Sequence, residues 1–469
     1  MIIAHCALSL VTVASLALQA VPPQPTAKQQ DLDRRMGWFR EARFGMFIHW
    51  GLYAIPGGQW KGAEVSGAGE WILQTGRIAP LDYMPLQAQF NPVEFDGDEW
   101  VRIAKMAGQK YIVITTKHHD GFALWDSRVS SFDVTATPFK RDILKELADA
   151  CARGGIQLCF YHSIMDWTHG DYLPKRECDA RNPEDADFDR YVGYMKEQLK
   201  ELLSGRYGKI GILWFDGEWE STWTHERGLD LAKYVRSLDP DIIINNRVDK
   251  GRNGMAGLNG EGEWAGDYGT PEQEIPATGI AGSDWETCMT MNDTWGWKQS
   301  DTNWKSAETM IQMLCDIASK GGNFLLNVGP QPDGRIPAAS IERLARIGTW
   351  METNGEAIYG TAASPFTAPP FGRCTQKRLA EGRTRLYLHV FEWPISADGA
   401  TNSLVIPALK NEIVAVRMLG ATSFVSSATR LGDGWSISIP VIAPDSVSSV
   451  IAVDVVGIPA TGEPKVSPH

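Results

Sequence analysis

Hydrophobic positions in this chain fall into two textures. From about residue 32 to residue 355, short unbroken apolar runs alternate with longer stretches in which apolar side chains return every three or four residues. The runs at 43–51 (RFGMFIHWG), 111–116 (YIVITT), 156–161, 210–215, 242–244 and 323–328 are too short for helices and read as strands buried on both faces. A helical period appears over 100–107, 142–153, 188–203, 228–237, 306–319 and 338–353. Residues 250–300, rich in glycine and acids, read as loop-dominated. Strand and helix in alternation, with one irregular region, predict an α/β protein built on a (β/α)8-type barrel. From about 360 the helical period disappears. Runs at 386–391, 403–406, 413–418, 436–440 and 450–456 are rich in β-branched residues and separated by Gly, Pro, Asn and Asp. They predict an antiparallel β-sandwich. The expected organisation is a catalytic barrel over 32–360 and a C-terminal sandwich over 361–469.

Residues 1–20 carry no charged side chain other than His5 and end in Leu-Gln-Ala, the pattern of a secretory signal peptide, although no Lys or Arg precedes the apolar part. Export to the periplasm or the extracellular space is the expectation. Residues 21–31, with three prolines, read as a linker.

Composition narrows the partners. A formal net charge of -12 with no basic stripe excludes nucleic acid and anionic membrane surfaces, and no membrane span is expected. Seven scattered Cys with no CxxC pair indicate neither a disulfide framework nor a zinc site. Eighteen Trp is a surplus that, in a cleft, offers flat faces to sugar rings.

Polar residues gather where the predicted strands end: His49 and Trp50; His118, His119 and Asp120; His162 and Asp166; Asp216; Asn246 and Arg247. In a barrel these ends converge on one cavity. Each His taken alone is more readily a core or loop histidine, and the Asp216–Gly217 pair alone is more readily a turn; the convergence is what points to a site. A metal centre fits poorly. His118 and His119 are adjacent, which in an extended strand sends them to opposite faces, and no HxH or HExxH spacing is present. No metal and no cofactor are expected. Glycoside hydrolysis fits better, because sugar hydroxyls are read by His, Asn, Asp and Arg, and the reaction needs two carboxyl groups. Asp216 can be one. Glu261, Glu263, Asp267, Glu272, Glu274 and Glu286 all qualify for the other, and spacing does not choose among them.

Several blocks in order resemble the α-L-fucosidases of glycoside hydrolase family 29: RFGMFIHWG at 43–51, YIVITTKHHDGFALWDS at 111–127, YHSIMDW at 161–167, ILWFDG at 212–217, GDYGTPEQEIP at 266–276, NFLLNVGP at 323–330 and GEAIYGT at 355–361. The resemblance implies a metal-independent, retaining exo-hydrolase of terminal α-L-fucose on oligosaccharides or glycoconjugates, with a β-sandwich behind the barrel. By position, it implies Asp216 as nucleophile and Glu272 as acid/base, with Glu286 in reserve. His49, Glu70, His118 and His119 match fucose-hydroxyl ligands, and Trp125, His162, Trp214 and Arg247 match further pocket residues. The aromatic flank of Trp264, Tyr268 and Trp285 is expected to raise the acid's pKa by desolvation. Another exo-glycosidase on the same scaffold and an inactive sugar-binding protein are the alternatives. The TPEQ block favours the family's broader-acting members, while loops outside the fucose pocket set linkage.

Overall fold

The short apolar runs pair side by side into one parallel sheet: β1 (Phe44–Ile48), β2 (Tyr111–Lys117), β3 (Gln157–Ser163), β4 (Ile212–Asp216), β5 (Ile243–Ile244), β6 (Tyr268–Gly269), β7 (Asp284–Thr290) and β8 (Asn323–Val328). Their spatial order is β5-β4-β3-β2-β1-β8-β7-β6. A parallel bridge between Asn245, just after β5, and Tyr268 joins the two ends. The sheet closes into a barrel in which chain order and spatial order agree. The structure is a computed structural model that describes residues 26–260, 262–280, 282–395, 402–421 and 424–462; the leader expected over 1–20 lies outside the described residues.

Alternation along the strands sorts the buried side chains into two layers. Phe47, Tyr111, Val113, Cys159, Tyr161, Ile212, Trp214, Tyr268 and Cys288 share one cluster, the barrel interior. Met46, Ile48, Ile112, Ile114, Phe160, Leu213 and Leu326 belong to a second, beneath the helices. This layer is covered by α2 (Gly97–Met106), α3 (Ile143–Gly154), α4 (Phe188–Leu202), α5 (His225–Leu238), α6 (Ala307–Ser319) and α7 (Ala338–Asn354). These helices start on side-chain caps where the sequence supplies them: Asp96 accepts from Asp98 N and Glu99 N, Asp142 from Lys145 N and Thr224 from Arg227 N.

The structure corrects one expectation and refines another. The linker over 21–31 is helical from Ala27 onward, as α1 (Ala27–Ala42), capped by Thr26 accepting from Gln29 N. Its sequence is polar except for a narrow stripe, and that stripe (Met36, Phe39, Ala42) plugs the bottom of the barrel. The Phe39 ring lies 4.8 Å from that of Tyr268. The region 250–300 is not all loop, since it supplies β6 and β7. These escaped the hydrophobic pattern because β6 is two residues long and the inward positions of β7 include a carboxylate, Glu286.

Beyond α7, β9 (Gly372–Arg378), β10 (Arg383–Val390), β11 (Asn402–Ile406), β12 (Ile413–Met418), β13 (Ala428–Leu431), β14 (Gly434–Ile439) and β15 (Ser449–Val456) form two antiparallel sheets. Their orders are β9-β10-β15-β12 and β11-β14-β13. Strand β15 is buried on both sides: Ile451, Val453 and Val455 face the sandwich core, while Val450 and Ala452 pack into the barrel's outer layer. The Trp350 indole on α7 donates to Ser448 O at 2.8 Å across this contact.

Candidate active site

Asp216 is the last residue of β4 and in phase with Ile212 and Trp214, so its carboxylate points into the mouth of the barrel. The cavity there is lined by Phe47, His49, Glu70, Trp71, His118, His119, Tyr161, Trp214, Asp216, Trp219, Arg247, Glu272, Cys288 and Trp295. Eight of the ten residues singled out from the sequence meet in it: His49, Glu70, His118, His119, Trp214, Asp216, Arg247 and Glu272.

Trp125 and His162 do not. The Trp125 indole is turned away and donates to Glu201 Oε2 on α4 at 3.0 Å. His162 is in phase with Leu158 and Phe160, which face outward, and its Nδ1 lies 3.0 Å from Thr116 Oγ1. One residue earlier, Tyr161 takes the inward position and its hydroxyl donates to Asp216 Oδ2 at 3.1 Å. The apolar run ends at 161, but β3 continues to Ser163, and the period-2 alternation carried to its true end turns His162 outward.

His118 and His119 both line the cavity, contrary to the strand-parity expectation. Strand β2 ends at Lys117 after a register slip between Thr115 and Lys117, so the two histidines stand in the following turn with ring centroids 4.1 Å apart. Parity holds only within a strand.

Arg247 organises the charges. Its Nη1 donates to Asp216 Oδ1 at 2.9 Å and its Nη2 to Glu272 Oε2 at 2.8 Å. Its Nε donates to Thr270 Oγ1 at 2.9 Å, and its guanidinium carbon lies 4.5 Å from the centre of the Trp214 ring. Burial works against ionisation of Asp216, but Arg247 and Arg252, joined by His119 at the low pH where its imidazole is charged, outweigh it and hold the carboxyl below its ordinary value.

The histidines are neutral. Burial lowers His49 to about 3 and His119 to about 4, and it pushes His118 well below the ordinary imidazole range. Asn327 fixes one tautomer. Its Nδ2 donates to Trp295 O at 2.7 Å, which leaves Oδ1 to face His49 Nδ1 at 2.7 Å. Nδ1 of His49 therefore carries the proton, and Nε2 is left as an acceptor. Glu70 is buried, which raises its pKa to about 6 despite hydrogen bonds from Gly296 N and Thr294 Oγ1 to Oε2. Its Oε1, like His118 Nδ1, is buried without a hydrogen-bond partner. Such atoms cost about 1–3 kcal/mol each, and a polyhydroxylated ligand in the cavity would satisfy them. Among the described residues, no group of three or more His, Cys, Asp or Glu is arranged to hold a metal ion.

Two expectations about the second carboxylate are corrected. Glu286, the reserve candidate, lies below the cavity rather than in it. It is fully buried in the barrel interior and accepts from the hydroxyls of Tyr111 and Tyr268 and from Trp214 Nε1. The aromatic flank expected beside Glu272 is elsewhere: Tyr268 meets Glu286, Trp285 packs into the layer beneath the helices, and Trp264 lines a surface depression near Lys28 and Arg40. What stands against Glu272 is Arg247.

Known proteins resemble this chain over most of its length. A family model described as Alpha-L-fucosidase matches residues 11–356. The tissue alpha-L-fucosidase of Homo sapiens is 30% identical over 452 residues, covering 92% of this chain and 92% of that protein. The Bos taurus enzyme is 30% identical over 451 residues, covering 92% and 90%. Among solved structures, alpha-L-fucosidase isoenzyme 1 from Paenibacillus thiaminolyticus superposes with a TM-score of 0.78 at 36% identity, covering 91% of this chain and 99% of that one. A Bacteroides thetaiotaomicron alpha-L-fucosidase trapped as a covalent intermediate with 2-fluoro-fucosyl fluoride does so with a TM-score of 0.80 at 31% identity, covering 94% and 100%.

Proposed function

The chain belongs to the α-L-fucosidases of glycoside hydrolase family 29, and from that premise we propose that it releases terminal α-L-fucose from glycans by double displacement, with Asp216 as nucleophile and Glu272 as acid/base. The observation that carries this reading is the single guanidinium spanning both carboxylates. One arginine shared in this way favours the short separation, roughly 5–5.5 Å, that retaining enzymes use and inverting ones do not. The covalent intermediate trapped in the Bacteroides thetaiotaomicron relative supports the same chemistry.

In the first step an oxygen of Asp216 attacks the anomeric carbon while Glu272 gives its proton to the glycosidic oxygen, so the aglycone leaves neutral and a fucosyl ester forms. In the second step Glu272 takes a proton from water, which displaces Asp216 and releases fucose. Arg247 and the Tyr161 hydroxyl keep Asp216 ionised and oriented. His49, Glu70, His118 and His119 bind the sugar hydroxyls through a neutral-imidazole and carboxylate set, with Trp214 and Phe47 against the apolar side of the ring.

Fucosylated oligosaccharides or glycoconjugates are the substrates in this reading, and exo-action follows from a cavity that closes on buried side chains. Among the described residues no helix is long and apolar enough to cross a membrane; export to the periplasm or beyond rests on the leader pattern over 1–20. The test is release of 4-nitrophenol from the α-L-fucoside beside the β-L-fucoside, β-D-galactoside and α-D-galactoside, with and without EDTA. Selective, EDTA-insensitive cleavage of the α-L-fucoside is expected. Preferential cleavage of a galactoside would sink the fucose reading.

A further inference from the structure

The loop after β4 presents an indole that the two catalytic steps do not use. Trp219 lines the mouth of the cavity yet is 42% exposed, while the backbone that carries it is pinned. Lys250 Nζ donates to Trp219 O at 2.9 Å and to Glu220 O at 2.5 Å. The preceding residue, Glu218, makes a buried ion pair with Arg252 at 2.7 Å. These contacts join the loops after β4 and β5. Beyond Arg252 the second loop carries Met255, 48% exposed, whose carbonyl accepts from Glu272 N at 2.9 Å. An exposed Trp and an exposed Met are thus held on rigid backbone on either side of the ion pair, next to the residue assigned as acid/base.

Barrel order says which way the leaving group points. The fucose ligands His49 and Glu70 follow β1, and His118 and His119 follow β2. Asp216 ends β4 and Trp219 follows it, Met255 follows β5 and Glu272 follows β6, so these four occupy one continuous sector of the rim. The proton donor has to meet the glycosidic oxygen, and the aglycone therefore leaves across this sector. Trp219 also faces Trp71 with near-parallel rings, 17° apart in plane and 6.4 Å between centroids, which holds the indole upright at the rim.

We infer that Trp219 is the platform for the sugar to which fucose is attached, and that the preferred leaving group is a pyranose whose apolar C–H face stacks on the indole. A flat aromatic face suits a pyranose ring because it offers dispersion and C–H contacts without demanding a fixed hydroxyl pattern. This inference rests on the fucosidase reading and on Glu272 as acid/base. It adds the substrate's second sugar as a ligand of this chain.

The experiment compares fucosyl disaccharides of α-1,2, α-1,3, α-1,4 and α-1,6 linkage with α-L-fucosyl fluoride, whose leaving group is too small to reach the platform. In Trp219→Ala, the ratio of kcat/KM on the best disaccharide to kcat/KM on the fluoride is expected to fall about tenfold, the worth of one aromatic stack. Trp219→Tyr, which keeps a flat face, restores most of that ratio. A ratio within twofold of wild type in Trp219→Ala overturns the platform. An equal fall on both substrates also overturns it, since Trp219 would then act on fucose itself. Wild-type enzyme that cleaves neither substrate refutes the fucosidase reading, and the platform falls with it.

Discussion

Arg247 Nη1 stands 2.9 Å from Asp216 Oδ1, and the side chains are only 2% and 12% exposed. A buried carboxylate without such a partner would be protonated near neutrality; with it, Asp216 is held below the ordinary carboxylate range. The sign for activity follows. The nucleophile must be ionised, so the acid limb of kcat/KM attributable to Asp216 lies below the ordinary carboxyl value of 3.8. Arg247→Met removes the principal group that stabilises the charge. The acid limb is expected to move to higher pH by about one to three units, a range typical of losing one close opposite charge. In Asp216→Gly, kcat is expected to fall by about three orders of magnitude or more with the fold retained by circular dichroism. Near-normal turnover would end the nucleophile assignment.

Glu272→Ala is expected to depend on the leaving group. Substrates with acidic aglycones lose little in the first step, whereas fucosyl disaccharides lose about a hundredfold or more, since general acid catalysis is worth roughly 10²–10⁴. Azide needs no general base, so it is expected to restore turnover of the fucosyl-enzyme and, after two inversions, yield α-fucosyl azide. Glu286→Ala is expected to give neither effect, because Glu286 is enclosed beneath Trp214 and cannot meet the glycosidic oxygen. Azide rescue in Glu286→Ala, and not in Glu272→Ala, would exchange the roles.

Glu286 predicts a stability effect instead. Burial raises its pKa from 4.5 to about 7, against hydrogen bonds from Tyr111, Trp214 and Tyr268 that favour the anion. A carboxyl raised in the folded state binds its proton more tightly there than in the unfolded chain. Its contribution to stability is fully present below pH 4.5 and is lost as pH rises through about 7, by roughly 3 kcal/mol in all. Glu286→Gln carries no titrating group. Urea midpoints of the two proteins are expected to differ least at pH 4.5 and to drift apart up to pH 7.5, with the wild-type curve falling. Parallel curves would show that Glu286 titrates normally.

Much of this protein is legible in its sequence because period-2 and period-3.6 patterns report burial directly. The (β/α)8 alternation, the sandwich texture after 360, and the collection of His49, His118, His119, Asp216 and Arg247 at strand ends all follow from local order plus the rule that parallel barrel strands open to one side. Where the reading failed, a neighbour in space overrode the local signal. Helix α1 looks like linker because its polar sequence hides a stripe of Met36 and Phe39 that becomes apolar surface only under the barrel floor. Strand β7 looks like loop because Glu286, on its inward face, is made tolerable by donors from β2, β4 and β6 that no window of sequence contains. His162 looks like a pocket residue because it follows the apolar run of β3, whereas the register with β2 and β4 puts Tyr161 inward in its place.

The sequence by itself determined the architecture and the inventory of chemical groups, since both depend on residue type and spacing along the chain. Only the tertiary structure decided how those groups are shared out. It set Arg247 between Asp216 and Glu272, sent Glu286 to the interior, and left Trp219 at the rim. The reason is physical: charge, desolvation and stacking act over a few ångströms between residues tens of positions apart, and barrel closure is what brings them within that range.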